Sequence, residues 1–495
     1  MEKSGLGHLY VINGDVGKVA CDAWLLPADS RFFVTDKFAH FVGLDRAGVP
    51  RGLPHEGYAG DKCLPYRVGV VDQPDLWIGD VGRTGAPLDH YSDVAYRFIE
   101  RATATIRQSR RDADPPLVAL PVIGSGDGGK RWARGPLLRE LIPTLQHAAE
   151  TFVCDVVLVT YGQVVYSAAQ ALRRELIDSE RLWTDLSSEL RDSATTLGER
   201  ARAGELVLFM GAGVSRGAGV PVWRELLRHI GSELGMDGDD ITSLESLDPR
   251  DQATILMKRG GDQFSTVVSG ALAKERYSLT HGLLASLPVK ETVTTNFDTL
   301  FETASNIDGE AISVVPGDAI KMDQRWLLKL HGTIGKDLVF TRSEYIDAIA
   351  RKSALRGLVQ AMLLTRHMLF IGYSLSDDDF HQLVHEVRVA VDDVGRGTMG
   401  TVLTLTADNH ASVLWPELNF VPLEGSARKL QIMLDLLGAV ACSPIGFVFD
   451  QSIEDVGGRD EIELTKILQR LEPLVARNKG WTEVVSFLNK FKSQG

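Results

Sequence analysis

Residues Leu206–Pro221 read LVLFMGAGVSRGAGVP. The apolar run Leu206–Met210 predicts a buried strand. Gly211 and Gly213 then turn the chain, and a helix is expected near Trp223. Glycines let backbone amides close on a diphosphate, and a helix N-terminus favours its charge. The spacing is not GxGxxG, and such a turn also occurs as a plain tight turn, so other segments must decide.

Three later segments end apolar runs in the same way. VTTNFD spans Val293 to Asp298, LLKLHG spans Leu327 to Gly332, and LFIGYSLSDDDF spans Leu369 to Phe380. Four such motifs suit an open parallel sheet, whose ligands sit at the carboxyl ends of the strands.

With the downstream GVPVW, these motifs resemble the sirtuin-like NAD-consuming domain family over about Glu205 to Leu437. The resemblance implies a Rossmann-like parallel sheet that binds NAD+ as substrate. It implies that Asn296 holds the nicotinamide ribose and that His331 is the general base. The positions expected to touch the cofactor are Gly211, Ala212, Gly213, Ser215, Thr295, Asp298, Gly372, Ser374 and Asp377. Ser215 and Ser374 suit a phosphate or ribose contact and equally a helix N-cap. Asp298 suits its own turn as well as a direct role. Asp377 to Asp379 suit a helix start.

One departure bears on the activity. Deacylating sirtuins carry two CxxC pairs, whereas this chain has four cysteines, Cys21, Cys63, Cys154 and Cys442. None forms a CxxC pair and none lies between Glu205 and Leu437, so a tetrahedral thiolate zinc site is not expected. Thr294, Thr295 and Asn296 stand where deacylases have TQN. Both changes look like the bacterial sirtuin-like NAD hydrolases of phage defence.

The region to about Gly162 alternates apolar runs with turns. HLYVINGDV, AWLLPAD, RVGVVD, LWIGDVG, LVALPVIGSG and CDVVLVTYG are the expected strands, with helices over Ser92–Ser109 and Leu137–Phe152. INGDV and the IGSG loop resemble the macro domain, which binds ADP-ribose. That resemblance implies an adenine contact at Asp15 and a diphosphate wrapped by Ile123, Gly124, Ser125 and Gly126. The family's asparagine is absent, and Asp29 stands near its place, which favours docking over hydrolysis, or a degenerate pocket. The glycines also fit a plain turn.

At 495 residues the chain is too long for one core. The expected organisation is a macro-like domain (1–165), a helical linker (166–204), the sirtuin-like domain (205–437) and a tail (438–495). The tail holds an apolar run (Ile445 to Phe449) and a helical end (Glu461 to Phe491). Net charge −13 argues against electrostatic nucleic-acid binding. Scattered cysteines, no signal-peptide core and no long apolar run predict a cytoplasmic protein without a membrane span.

Cleaving the nicotinamide bond passes through an oxocarbenium-like state, as in glycoside hydrolysis. A histidine with an ordinary pKa near 6.5 suits the activation of water or a hydroxyl, and a neutral asparagine holds a hydroxyl without adding charge. The reading is an NAD+ glycohydrolase, kept off until triggered, that depletes NAD+ in defence. The resemblance implies a homo-oligomer, an ADP-ribose-like ligand as trigger and an ATPase or helicase partner of the HerA type. A protein ADP-ribosyl transferase or deacylase and a non-catalytic nucleotide-binding scaffold are the alternatives. Linear and cyclic ADP-ribose remain equally open as products.

Overall fold

The computed structural model describes residues 7–477 and Val484, apart from 55–56, 59, 83–85, 111–113, 127–129, 308, 310, 322–323, 337, 346–352, 376–377, 391–397, 409, 444–446, 448–449, 454–455 and 457–458. It divides into two compact units, residues 1–191 with 432–495, and residues 192–431.

The first unit is built on β1 (Leu9–Asn13), β2 (Ala23–Ala28), β3 (Cys63–Arg67), β4 (Asp75–Asp80), β5 (Leu117–Pro121) and β6 (Asp155–Thr160). Their order is β1-β6-β5-β2-β4-β3. Every pairing is parallel except β3 with β4. β1, β5 and β6 read as nearly continuous apolar runs because a parallel sheet is covered on both faces. The helices Leu88–Ser109 and Arg134–Phe152 bury apolar residues at helical spacing.

One expected strand is corrected. In RVGVVD only Arg67 belongs to a strand; Gly69 (φ 74°) and Asp72 (φ 59°) take left-handed backbone, which a strand does not accommodate. The real edge strand is CLPYR, whose pairing with β4 shifts register at Pro65. Proline is tolerated there because an edge position need not donate.

The helix Ala427–Ala441 contributes Ile432 onward to this unit. Asp435 is buried beneath Arg173, which donates from Nη1 at 2.7 Å and Nη2 at 3.0 Å, and beside His8 Nε2 at 2.8 Å. Burial pushes the Asp435 carboxyl up, but Arg173 and His8 outweigh it and hold it below the usual range. The chain continues to the helix Arg459–Ala476. Most of the apolar run from Ile445 to Phe449, and the sequence beyond 477 apart from Val484, lie outside the described residues.

The second unit holds β7 (Leu206–Met210), β8 (Glu291–Thr294), β9 (Ser313–Val315), β10 (Trp326–Lys329), β11 (His367–Ile371), β12 (Gly400–Thr404) and β13 (Leu418–Pro422). The order is β13-β12-β11-β7-β8-β10-β9, parallel throughout. The chain starts in the middle at β7, moves outward through β8, then returns to the other side of β7 with β11. That reversal is the switch point of a doubly wound Rossmann-like sheet, between β7 and β11. Val207, Phe209, Phe370, Val402 and Leu328 anchor the core beneath it.

Candidate functional site

Register brings the four motifs to one edge of the second sheet. Met210 pairs with Thr294 and with Ile371, and Thr294 pairs with Lys329. These are the last residues of their strands. The segments that follow, at Gly211, Thr295, Leu330 and Gly372, therefore leave the sheet at the same level.

The β7 and β11 loops meet backbone to backbone. Gly211 N–H donates to Ile371 O and Gly213 N–H to Gly372 O, both at 2.9 Å. A Cβ on Gly211 would lie 2.4 Å from Gly372 O, and one on Gly372, whose φ is +62°, 2.6 Å from Val214 N. Only glycine fits such an approach. Ala212 opens the 3₁₀ turn Ala212–Ala218, and the helix Trp223–Glu233 follows.

Beneath this turn lies a chain of polar side chains. Ser215 is fully buried. Its hydroxyl donates to Asp298 Oδ2 at 2.8 Å, and its oxygen lies 3.2 Å from Asn296 Nδ2 and 3.4 Å from His281 Nε2. Asn296 Nδ2 also donates to Gly211 O at 3.0 Å. Thr294 braces the segment, its hydroxyl donating to Met210 O at 3.0 Å and accepting Asn296 N–H at 3.0 Å. Thr295 N–H reaches Met210 O at 3.3 Å. Asp298 accepts Leu300 N–H at 3.1 Å through its other oxygen. The serine and the aspartate thus serve this chain directly.

His331 follows β10 and is 6% exposed. Its Nδ1 lies 3.4 Å from the Tyr345 hydroxyl, and its ring stands 5.0 Å from Tyr345 and 6.4 Å from Phe297. Phe297, Phe340 and Trp223 continue an aromatic wall, with Trp223 4.5 Å from Phe340. Ser374 is exposed two residues beyond Gly372, and Asp377 lies outside the described residues.

Two residues of this neighbourhood have roles that the sequence did not show. Lys329 is 1% exposed and pairs with Glu302 at 2.8 Å. Burial raises the Glu302 carboxyl above its usual range, with Lys329 pulling the other way. His281 is buried, and desolvation lowers its pKa to about 4, although Asp298 opposes the shift. It is therefore neutral at physiological pH. Ser278, three residues earlier and capping the same helix, is its only signature in the sequence.

In the first unit the carboxyl ends of β2, β5 and β6 open into a cavity of about 950 Å³. Ile123, Gly124, Ser125 and Gly126 line it, together with Arg31, Lys37, Arg134 and Tyr161. Lys37 Nζ stands 3.0 Å from the centre of the Tyr161 ring. Asp29 also lines it, but its carboxylate accepts Arg31 and Phe33 N–H groups, both at 2.8 Å. Asp15 accepts Gly17 N–H at 3.0 Å, capping a short turn after β1. Among the described residues no cluster of histidine, cysteine and acidic side chains could hold a metal ion, and the four cysteines are free thiols.

The second unit is thus a doubly wound parallel α/β domain with its polar cluster at the switch point. Residues 290–422 match the SIR2-like domain family, so this unit carries a SIR2-like domain. The chain is 29% identical over 203 residues to the NAD(+) hydrolase ThsA of Cytobacillus dafuensis, a match covering 38% of this chain and 39% of that protein. It is 28% identical over 207 residues to NAD(+) hydrolase ThsA of Enterococcus faecium, covering 38% and 41%. To Defense-associated sirtuin 2 of Bacillus subtilis it is 27% identical over 201 residues, covering 38% and 20%. The matched stretch thus spans about two fifths of the ThsA relatives and a fifth of the defence sirtuin. Among the described residues no helix is long and apolar enough to cross a membrane.

Proposed function

We propose that the SIR2-like unit hydrolyses the nicotinamide–ribose bond of NAD+, giving nicotinamide and ADP-ribose, in antiphage defence. The observation that carries this reading is that Met210, Thr294, Lys329 and Ile371 end their strands at one level, so that the segments bearing Gly211, Asn296, His331 and Gly372 leave the same edge of one parallel sheet. Relatives over the same stretch bear the name NAD(+) hydrolase, and no metal is invoked.

In this reading the diphosphate lies beside the β7 and β11 loops and is met by loop amides other than those of Gly211, Gly213 and Val214, which are already bonded to backbone oxygens. Asn296 holds a ribose hydroxyl or water. His331 accepts the proton as the nucleophile attacks, its ring held against Tyr345. The buried aromatic wall of Phe297 and Phe340 keeps bulk water from the departing nicotinamide.

The first unit is read as a macro-like domain that binds an ADP-ribose-like ligand in its cavity. The cavity's size and its Arg31, Lys37 and Arg134 suit a diphosphate. Ligand there and assembly into a homo-oligomer, with or without a HerA-type ATPase, form the on/off element of a cytoplasmic effector that stops the infected cell. Such control requires a ligand that binds the on state more tightly than the off state.

The test is chromatography of NAD+ incubated with the purified protein, His331→Ala and Asn296→Ala. Nicotinamide and ADP-ribose from the wild type alone support the reading. Equal turnover by all three removes the site assignment.

A further inference from the structure

Asn296 is wired more tightly than its role as a ligand contact requires. Gly211 O is purely an acceptor, so the atom 3.0 Å from it must be the amide NH₂. The second amide proton faces Ser215 Oγ at 3.2 Å. Ser215 gives its own proton to Asp298, so its oxygen receives the amide proton. Both Nδ2 protons are then engaged, and Asn296 is partly exposed. Among the described residues its Oδ1 carries no hydrogen bond.

His281 closes the chain from behind. Its Nδ1 accepts Ser278 backbone N–H at 3.3 Å, and Ser278 Oγ lies 2.9 Å from the same nitrogen. A neutral ring that accepts at Nδ1 carries its proton on Nε2. That proton points at Ser215 Oγ across 3.4 Å. With two donors facing its oxygen, Ser215 can send its single proton only to Asp298.

We propose that His281 is a positioning residue for Asn296: acting through Ser215, it holds the amide so that the carbonyl oxygen, and not the NH₂, meets the ligand. The group recognised is therefore a donor, a ribose hydroxyl or the attacking water. A carbonyl or phosphate oxygen at that point is refused. This inference rests on the hydrolase reading for its kinetic consequence but not for its geometry.

The experiment pairs kinetics with crystallography on His281→Leu, which keeps the buried volume, and His281→Gln, which restores a donor. His281→Leu is expected to lower kcat for nicotinamide release by about 10- to 100-fold, since small misplacements of reacting groups cost that much. KM should change less than threefold, and His281→Gln should recover most of kcat. In the crystal, Asn296 Nδ2 should remain on Gly211 O in the wild type and His281→Gln, and leave it or split between rotamers in His281→Leu. An active wild type with undiminished kcat in His281→Leu overturns the positioning role and leaves the hydrolase reading intact. Equal loss in both variants with Asn296 unmoved also overturns it. A wild type that releases no nicotinamide even with the first unit's ligand supplied sinks the hydrolase reading instead, and the amide position in the crystals still decides this one.

Discussion

The two units answer the same local sequence, an apolar strand running into a glycine loop, in opposite ways. In the second unit Gly211, Gly213 and Gly372 are consumed by the contact of two loops, and the side chains beneath them bond to one another. In the first, Gly126 is open to a cavity of about 950 Å³ whose cations stand in its wall, and only Gly124 is packed, against the Tyr91 ring. The close fixing of atoms in the second unit suits the proposed bond cleavage, and the room in the first suits the proposed docking.

The comparison breaks most directly at His331. Its replacement by alanine should cost about 10²–10⁴ in nicotinamide release, the usual contribution of a positioned base. ADP-ribose binding to the first unit should stay unchanged in calorimetry. A parallel loss of both activities would show that the two sites are not separate functions.

Asp435→Ala should destabilise the first unit by about 3–5 kcal/mol, because Arg173 is left buried without its counter-charge. Chemical denaturation should show a transition shifted for the first unit and unshifted for the second. Replacing Arg173 and Asp435 together by apolar residues should recover much of that loss.

Gly211→Ala should destabilise the second unit by about 1–3 kcal/mol, since the new methyl meets backbone atoms that cannot swing aside. Nicotinamide release should fall with it. By contrast, Gly126→Ala meets nothing within 4 Å and should leave stability unaltered. If thermal melts rank these two the other way, the distinction between consumed and open glycines fails.

Arg134→Ala should weaken ADP-ribose binding about tenfold, the loss of roughly 1.4 kcal/mol, without changing nicotinamide release by the second unit at saturating trigger. Equal affinity in calorimetry would move the ligand away from this wall.

The smallest effect is on pH. His281 and His367 both have pKa values lowered to about 4 by burial, from an ordinary 6.5. Between those values the unfolded chain binds more protons than the native one, so stability is full above about pH 6.5 and declines as pH falls toward 4. His281→Gln should flatten that decline in pH-dependent melts. An unchanged slope would remove His281 from the account of acid lability.

How much of this was legible in the sequence depended on whether a signal was local. Parallel strands buried on both faces announce themselves as apolar runs, so β1, β5, β7 and β11 were readable. The short edge strands β3 and β9 were not, because Pro65 and a three-residue SVV carry no run. The motifs containing Asn296 and His331 were visible from their residue types. Their convergence needed register, which pairs Thr294 with both Met210 and Lys329 and is set only in the folded sheet. Ser215 read as a phosphate or ribose contact or a helix N-cap, and its bonds to His281 and Asp298 were not visible because those partners are 66 and 83 residues away. The return of the chain to the first unit after Gln431 was hidden for the same reason, since Asp435 and Arg173 are 262 residues apart.

The central claim, that the SIR2-like unit cleaves NAD+ with His331 as base, is tested most directly by mass spectrometry of NAD+ recovered after hours with wild type or with His331→Ala. The account predicts that NAD+ is converted to nicotinamide and ADP-ribose by the wild type and is recovered intact, though bound, from His331→Ala. Intact NAD+ from both even with the first unit's ligand supplied, or conversion by both, would contradict it.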